Sequence, residues 1–209
     1  MSAKLVLYTN PQSRGRTARW MLEEIGQPYE TEILEYGTTM KAPAYLAINP
    51  MGKVPALKHG DVVVTETAAI CTYLADAFPQ AGLAPAIGAA ERGAYMRWMF
   101  FGAGPLEQAS VNKALGVVVP EERKRMAGYG SLEDVVNTLD QHLKGSQYFA
   151  GDTFTAADIY TGGQIGWLTH FGIIEKLPSF MDYVARISSR PAFKRAQEID
   201  EALIPKKQG

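Results

Sequence analysis

Three short stretches hold residue types that could do chemistry. The first is YTNPQSRGRTARW, Tyr8 to Trp20. Here an isolated hydroxyl, Ser13, stands directly before Arg14-Gly15-Arg16, where an apolar run gives way to a helical pattern. A hydroxyl beside two cations at a helix start suits two roles. It can cap the first turn through its oxygen, or it can make or hold an anion where N–H groups and positive charge converge. No capping box is available, because the residue three positions on is Arg16 rather than Glu or Gln. Arg14 and Arg16 also oppose the helix macrodipole. Either they favour a nearby anion, or they pair with carboxylates distant in the chain.

The second stretch is NPMGKVPAL, Asn49 to Leu57. A proline at the mouth of a strand removes an N–H and allows a cis bond. The third is TETAAI, Thr65 to Ile70, where Glu66-Thr67 opens a helix. Such residues serve as caps, yet the N–H groups of a helix start also hold a carboxylate well. Lys41 and Lys53, taken alone, read as solvated surface charges. The single cysteine, Cys71, lies among apolar residues of a helical pattern and reads as an inert core thiol. One cysteine excludes an intrachain disulfide and a cysteine zinc cage, so thiol chemistry here would use a thiol supplied by a ligand. His59, His142 and His170 have no ligand spacing, and no metal is expected.

The chain has 209 residues and a formal net charge of −1. No global field attracts nucleic acid or a membrane surface, and no apolar run approaches the ~20 residues that span a bilayer. MSAKLVLYTN lacks the parts of a signal peptide. A reduced, cytoplasmic protein is expected.

The elements that must position these residues follow from periodicity. KLVLY reads as a buried strand. In TARWMLEEIG, Ala18, Met21, Leu22 and Ile25 share one helix face and Gly26 stops the helix. Arg19 and Glu23 are placed to pair at i,i+4. YETEILEY alternates as a half-exposed strand, and KVPALKHGDVVVTE reads as a hairpin turning at Gly60-Asp61. TETAAICTYLADAF is a second helix. The order is β-α-β, a loop with a short helix, then β-β-α, a mixed sheet covered by helices.

Residues 80–90, rich in Pro, Gly and Ala, read as a linker between a first domain at 1–79 and an all-helical domain at 91–209. Gly102, Gly104 and Pro105 should kink or break the long helical pattern that follows. Thr155 and Asp158 form a capping box with Phe154 and Ile159 as its staple, a folding signal rather than chemistry. PSFMDYVARIS and PAFKRAQEI each begin a helix with proline, and the tail PKKQG reads as loose.

Taken together in this order, NPQSRGRTARW, NPMGKVPAL and TETAAI resemble the cytosolic glutathione transferase superfamily, bacterial-type, with the serine-using pattern. The resemblance spans the chain. It implies a thioredoxin-like N-terminal domain and an all-helical C-terminal domain. It further implies a cytoplasmic, homodimeric detoxification transferase that conjugates glutathione, as co-substrate, to a small hydrophobic electrophile held against the helical domain. Isomerase, peroxidase and disulfide-reductase chemistry, or binding without turnover, occur on the same scaffold.

By that resemblance, the Val54–Pro55 bond is cis and Val54 pairs its backbone with the cysteinyl backbone of glutathione as an added strand. Thr67 and the helix start hold the γ-glutamyl carboxylate, Glu66 accepts from the ammonium, and Lys53 and Lys41 lie near the glycyl carboxylate. Ser13 donates a hydrogen bond to the sulfur. Tyr8, at the end of the first strand, is the runner-up, because the tyrosine-using pattern has a shorter spacer than TNPQS. Tyr95, Trp98, Met99, Phe100 and Phe101 cluster on the helix that lines the acceptor pocket and the dimer contact in this family; such clusters are usually core.

Overall fold

Residues 3–204 are described by a computed structural model; the loose tail expected at 205–209 lies outside them. In β1 (Leu5–Thr9), Leu5, Leu7 and Thr9 are buried while Val6 and Tyr8 are half-buried on the other face. This period of two gives the strand one core face. The helix α1 (Gly15–Ile25) buries Ala18, Met21, Leu22 and Ile25 as its spacing predicts, and ends on Gly26 at φ 66°. β2 (Tyr29–Ile33) pairs parallel to β1, which requires such a crossover helix.

A short 3₁₀ turn at Thr39–Lys41 and one helical turn, α2 (Pro43–Leu46), lead to β3 (Ala56–His59) and β4 (Val62–Thr65). These two form the expected hairpin about Gly60-Asp61. The sheet order is β2-β1-β3-β4, with β3 antiparallel to both neighbours. α3 (Thr67–Ala77) closes the unit and buries Ile70, Cys71 and Leu74. Burial pushes the Cys71 thiol up to about 12, consistent with an inert core residue.

The later part of the chain is helical: α4 (Glu91–Phe101), α5 (Glu107–Leu115), α6 (Leu132–Gly145), α7 (Gly163–His170), α8 (Pro178–Ser188) and α9 (Pro191–Ala202). Between α4 and α5 the expected kink is a π-helical turn at Gly102–Leu106 containing Pro105. A second π-helical turn, Asp158–Gly162, precedes α7. α6 begins with a capping box of Ser131 and Asp134.

The chain divides into two compact units: Gly82–Ser188, and a unit that runs to Ala81 and resumes at Ser189. This departs from the expected division. Leu83, placed in the linker by composition, is buried, and its carbonyl accepts from the Ala156 N–H at 2.8 Å. The second helical domain expected at 91–209 ends early, because α9 packs on α1 of the first unit. Trp20 and Phe193 meet edge-to-face at 4.9 Å. Arg190 grips Glu24 with two bonds of 2.6 and 2.8 Å.

Arg19 does not pair with Glu23. Its guanidinium is buried, and its Nε donates to Asp200 of α9 at 2.8 Å, while Glu23 accepts from Tyr29 at 2.8 Å and from Arg195 at 3.1 Å. The i,i+4 geometry permits a surface pair, but here Arg19 lies on the inward face.

The core of the helical unit centres on Asp158. Its carboxylate accepts from the N–H of Phe149 and of Thr155, and from the hydroxyls of Thr155 and Tyr183, at 2.9, 2.8, 3.1 and 2.6 Å. The Asp158 half of the expected capping box is therefore present, while the Thr155 oxygen accepts from the Ala157 N–H rather than that of Asp158, and the carboxylate is joined to α8 through Tyr183. Phe154 and Ile159, the staple residues, are both buried.

His142 of α6 packs against both Trp98 and Phe149, with ring centroids at 4.4 and 5.6 Å. Burial, with Arg97 nearby, holds its imidazole below the usual histidine range. The folded unit thus favours neutral His142, while the unfolded chain binds a proton near its ordinary value. The contribution is fully present above about pH 6.5 and is lost as pH falls through that value toward the folded pKa. Urea midpoints measured at pH 7.5 and 5.5 should differ more for the native chain than for His142→Phe, which keeps the ring stack; equal differences would remove His142 as the cause.

Candidate active site

One row of residues crosses three strands: Tyr8 of β1 opposes Ala56 of β3, and Ala56 opposes Thr65 of β4. β1 leaves the sheet at this row toward Ser13. β3 enters here from Val54-Pro55, and β4 leaves here into Glu66-Thr67. Neighbouring strands lie about 4.8 Å apart, so three segments far apart in sequence converge on one end of the sheet. β2, parallel to β1, also ends there and leads to Lys41.

Two Asn-Pro pairs build this end by the same device. The Asn10 side chain accepts from the Gln12 N–H at 3.0 Å and donates to the Leu34 carbonyl at 2.8 Å. The Asn49 side chain accepts from the Met51 N–H at 3.1 Å and donates to the Lys53 carbonyl at 2.8 Å. Each is an asparagine turn tied to a second segment. Asn-Pro is a turn signal legible in sequence, but the second bond of each pair is not.

Ser13 sits in the turn set by Asn10. Its hydroxyl donates to the Asn10 carbonyl at 2.7 Å, and its oxygen accepts from the Gly15 N–H at 3.0 Å. The half-exposed Ser13 thus makes a capping-type contact through its oxygen while its one O–H is engaged by the Asn10 carbonyl. Gly15 is required by close approach: a Cβ there would lie 1.8 Å from Thr9 Oγ1 and 3.0 Å from Ser13 Oγ. Arg16 faces carboxylates of α9, Asp200 at 3.9 Å and Glu201 at 3.8 Å. Distant pairing thus accounts for the second arginine of the stretch.

Tyr8 lies on the α2 side of the sheet. Its ring packs 5.7 Å from that of Tyr45, in a cluster with Met40, Ala56, Leu34, Ile48 and Val54. The Val54–Pro55 bond is cis. Just before it, the Lys53 carbonyl accepts from Tyr45 Oη at 2.6 Å as well as from Asn49. Two side chains thereby fix the approach of the Lys53-Val54-Pro55 segment to the sheet, and neither was legible as a functional residue. The Lys53 side chain is exposed.

Lys41 folds across Gly52, donating from Nζ to the Met51 carbonyl at 2.9 Å. This holds the Lys41 ammonium two residues from Lys53.

Glu66 has φ 66° and ψ 121°, the one non-glycine at positive φ among the described residues. Such a conformation costs on the order of 1–3 kcal/mol and clusters at functional sites. Glu66 is exposed, and its side chain makes no cap bond to α3. The first N–H groups of α3, beside the half-buried Thr67, are therefore open to an anion.

The aromatic cluster divides. Tyr95, Trp98 and Met99 are core of the helical unit, Phe101 packs on Trp98 at 5.2 Å, and Phe100 is 69% exposed. Among the described residues, no three His, Cys, Asp or Glu side chains are grouped to hold a metal, and no helix is long and apolar enough to cross a membrane.

Comparison with known proteins gives a consistent answer. The family signature described as glutathione S-transferase, N-terminal domain, matches residues 13–77, and that of the C-terminal domain matches residues 96–191. The chain is 30% identical over 172 residues to glutathione S-transferase GST-4.5 of Xanthomonas campestris, covering 80% of this chain and 84% of the relative. Among solved structures, a glutathione transferase of Methylococcus capsulatus superposes with a TM-score of 0.79 at 30% identity, over 95% of this chain and 99% of that one. A sphingomonad glutathione S-transferase complexed with glutathione superposes with a TM-score of 0.75 at 30% identity, over 94% and 98%.

Proposed function

The chain belongs to the glutathione S-transferase family, and on that premise we propose that it binds glutathione at the Tyr8–Ala56–Thr65 end of the sheet, ionises its thiol, and conjugates it to a small hydrophobic electrophile. The observation that carries this reading is the convergence of Ser13, Val54 and Glu66-Thr67 on one sheet end. Each segment meets one chemical part of the tripeptide. The open N–H groups of α3 and the Thr67 hydroxyl take the γ-glutamyl carboxylate. The exposed Glu66 carboxylate accepts from the ammonium. Val54 offers its backbone, and the Lys41 and Lys53 ammonium groups face the glycyl carboxylate.

The sulfur falls to Ser13. A free thiol has a pKa of about 8.5, so only about 3% is thiolate at pH 7. A hydrogen bond to a charged partner is worth roughly 1.5–3 kcal/mol, which at about 1.36 kcal/mol per unit lowers the pKa by about one to two units. Ser13 must first release the Asn10 carbonyl. That bond is neutral and contributes roughly 0.5–1.5 kcal/mol, so a charged sulfur outcompetes it. The Gly15 N–H, donating to Ser13 Oγ, sharpens the hydroxyl as a donor. The serine donates and does not attack; the nucleophile is the thiolate of the co-substrate. A cytoplasmic homodimer active in detoxification completes the reading, from the family pattern.

Titration calorimetry with glutathione tests it. Binding at millimolar concentration or tighter is expected, and Glu66→Gln should weaken it about tenfold by loss of one charged hydrogen bond. No binding heat, with no change in thermal midpoint, would leave a protein of this fold without the activity. Steady-state assays with an aryl halide, an organic peroxide and a mixed disulfide then separate conjugation from peroxidase or reductase chemistry; turnover of the latter two alone would overturn conjugation.

A further inference from the structure

Beyond the contact of Ser13 Oγ with the Gly15 N–H, helix α1 begins without the groups that usually stabilise a helix start. Arg14 at its N-cap makes no side-chain cap bond, and the first turn holds no acidic residue. Two arginines stand there instead, against the dipole. The missing negative charge comes from α9. Asp200, 181 positions from Arg19 and as deeply buried, accepts from Arg19 Nε at 2.8 Å. The Arg19 Nη1 also donates to Tyr29 Oη and Thr31 Oγ1 of β2, both at 3.2 Å. The second Asp200 oxygen has no hydrogen-bond partner and faces Arg16 at 3.9 Å.

Asp200 therefore joins α1, α9 and β2 at one buried node. The node is continuous with the turn before it: the Arg16 N–H donates to the Ser13 carbonyl at 3.3 Å, and the Gly15 N–H donates to Ser13 Oγ at 3.0 Å. On the opposite side, Gly15 is pressed against Thr9. A shift of α1 along or about its axis cannot leave Ser13 where it is.

We propose that Asp200 is a positioning residue for the thiol-binding turn: through Arg19 and Arg16 it sets the first turn of α1, and thereby the direction of the Ser13 hydroxyl. This rests on the reading of Ser13 as the group that holds the sulfur. The charged and titratable groups of this seam are Arg16, which also faces Glu201, and Arg19, which also meets Tyr29 of β2, while farther along α1 Glu23 pairs with Arg195 of α9 and Glu24 with Arg190 just before it. Of these, only Arg16 and Arg19 meet the Asp200 carboxylate.

The sign of one measurement separates position from charge. Asp200→Asn keeps the shape but removes a negative charge. Acting through space alone, that loss would favour a thiolate and lower the thiol pKa of bound glutathione. Loss of position would raise it. The pKa is read from thiolate absorbance in a pH titration of the full chain with glutathione bound. We expect Asp200→Asn to raise it by about 0.5 to 1 unit, a roughly threefold to tenfold loss of thiolate at fixed pH, and to add nothing further in a Ser13→Ala background.

An unchanged or lowered pKa in folded Asp200→Asn overturns the proposal, as does an equal rise with Ser13 absent. If Ser13→Ala alone changes nothing, the reading of Ser13 fails instead, and the two failures are distinct. Should Asp200→Asn not fold, Thr31→Val removes one bond of the same node with Asp200 in place. It must shift the pKa in the same direction; no shift overturns the proposal.

Discussion

Asp158→Ala is expected to cost the helical unit about 4 kcal/mol or more, enough to abolish its fold in a protein of ordinary stability. The carboxylate accepts four hydrogen bonds, two from backbone N–H groups and two from hydroxyls, and the residue is fully buried. Burial pushes its carboxyl up, while Tyr183, Phe149 and Thr155 stabilise the charged form. Alanine removes the acceptor and leaves three residues with buried donors facing nothing, at about 1–3 kcal/mol for each unsatisfied group.

Thr155→Ala, by contrast, removes only the cap oxygen that accepts from the Ala157 N–H at 3.3 Å and one donor to Asp158, and should cost about 1 kcal/mol. Urea unfolding followed by near-ultraviolet circular dichroism measures both. A loss for Asp158→Ala no larger than for Thr155→Ala would show that water replaces the missing acceptor.

Ser13→Ala is expected to raise the thiol pKa of bound glutathione by about one unit, the charged bond less the Asn10 bond it displaces, with little loss of affinity. Turnover near pH 7 should fall about tenfold or more and recover as pH rises through the new pKa, because the thiolate then forms without help. The recovery distinguishes lost ionisation from lost structure. The gain from ionisation is itself partial, since a thiolate of lower pKa is a weaker nucleophile. Gly15 remains opposed by Thr9 in this variant, so the turn is expected to keep its shape. An unchanged pKa would transfer the role to Tyr8, whose ring lies beside Tyr45 and Val54 at the same end of the sheet, and Tyr8→Phe would then show the rise.

Much of this was legible in one dimension because its causes are local. The periods of two and 3.6 in KLVLY and TARWMLEEIG reflect which faces a strand and a helix bury. The Thr155–Asp158 box is a contact over three residues, and Gly60-Asp61 closes a hairpin by its own backbone. The Lys53-Val54-Pro55 and Glu66-Thr67 segments were recognisable as a motif. Their supports were not: Tyr45 and Asn49 bind a carbonyl eight and four residues away, and nothing in their spacing reveals that acceptor.

The strands, most helix faces, the Thr155–Asp158 contact and the residue types available to hold a tripeptide are written in the chain, because each depends on neighbours within a few positions. Long-range packing decided that Arg19 leaves Glu23 for Asp200, that α9 belongs with the first unit, and that Leu83 belongs with the second. The fold also places the Ser13 hydroxyl on the Asn10 carbonyl. Periodicity says which side of a helix is buried, but not which of several complementary surfaces will bury it. A buried ion pair is selected by three-dimensional fit and desolvation, and those exist only once the chain has closed on itself.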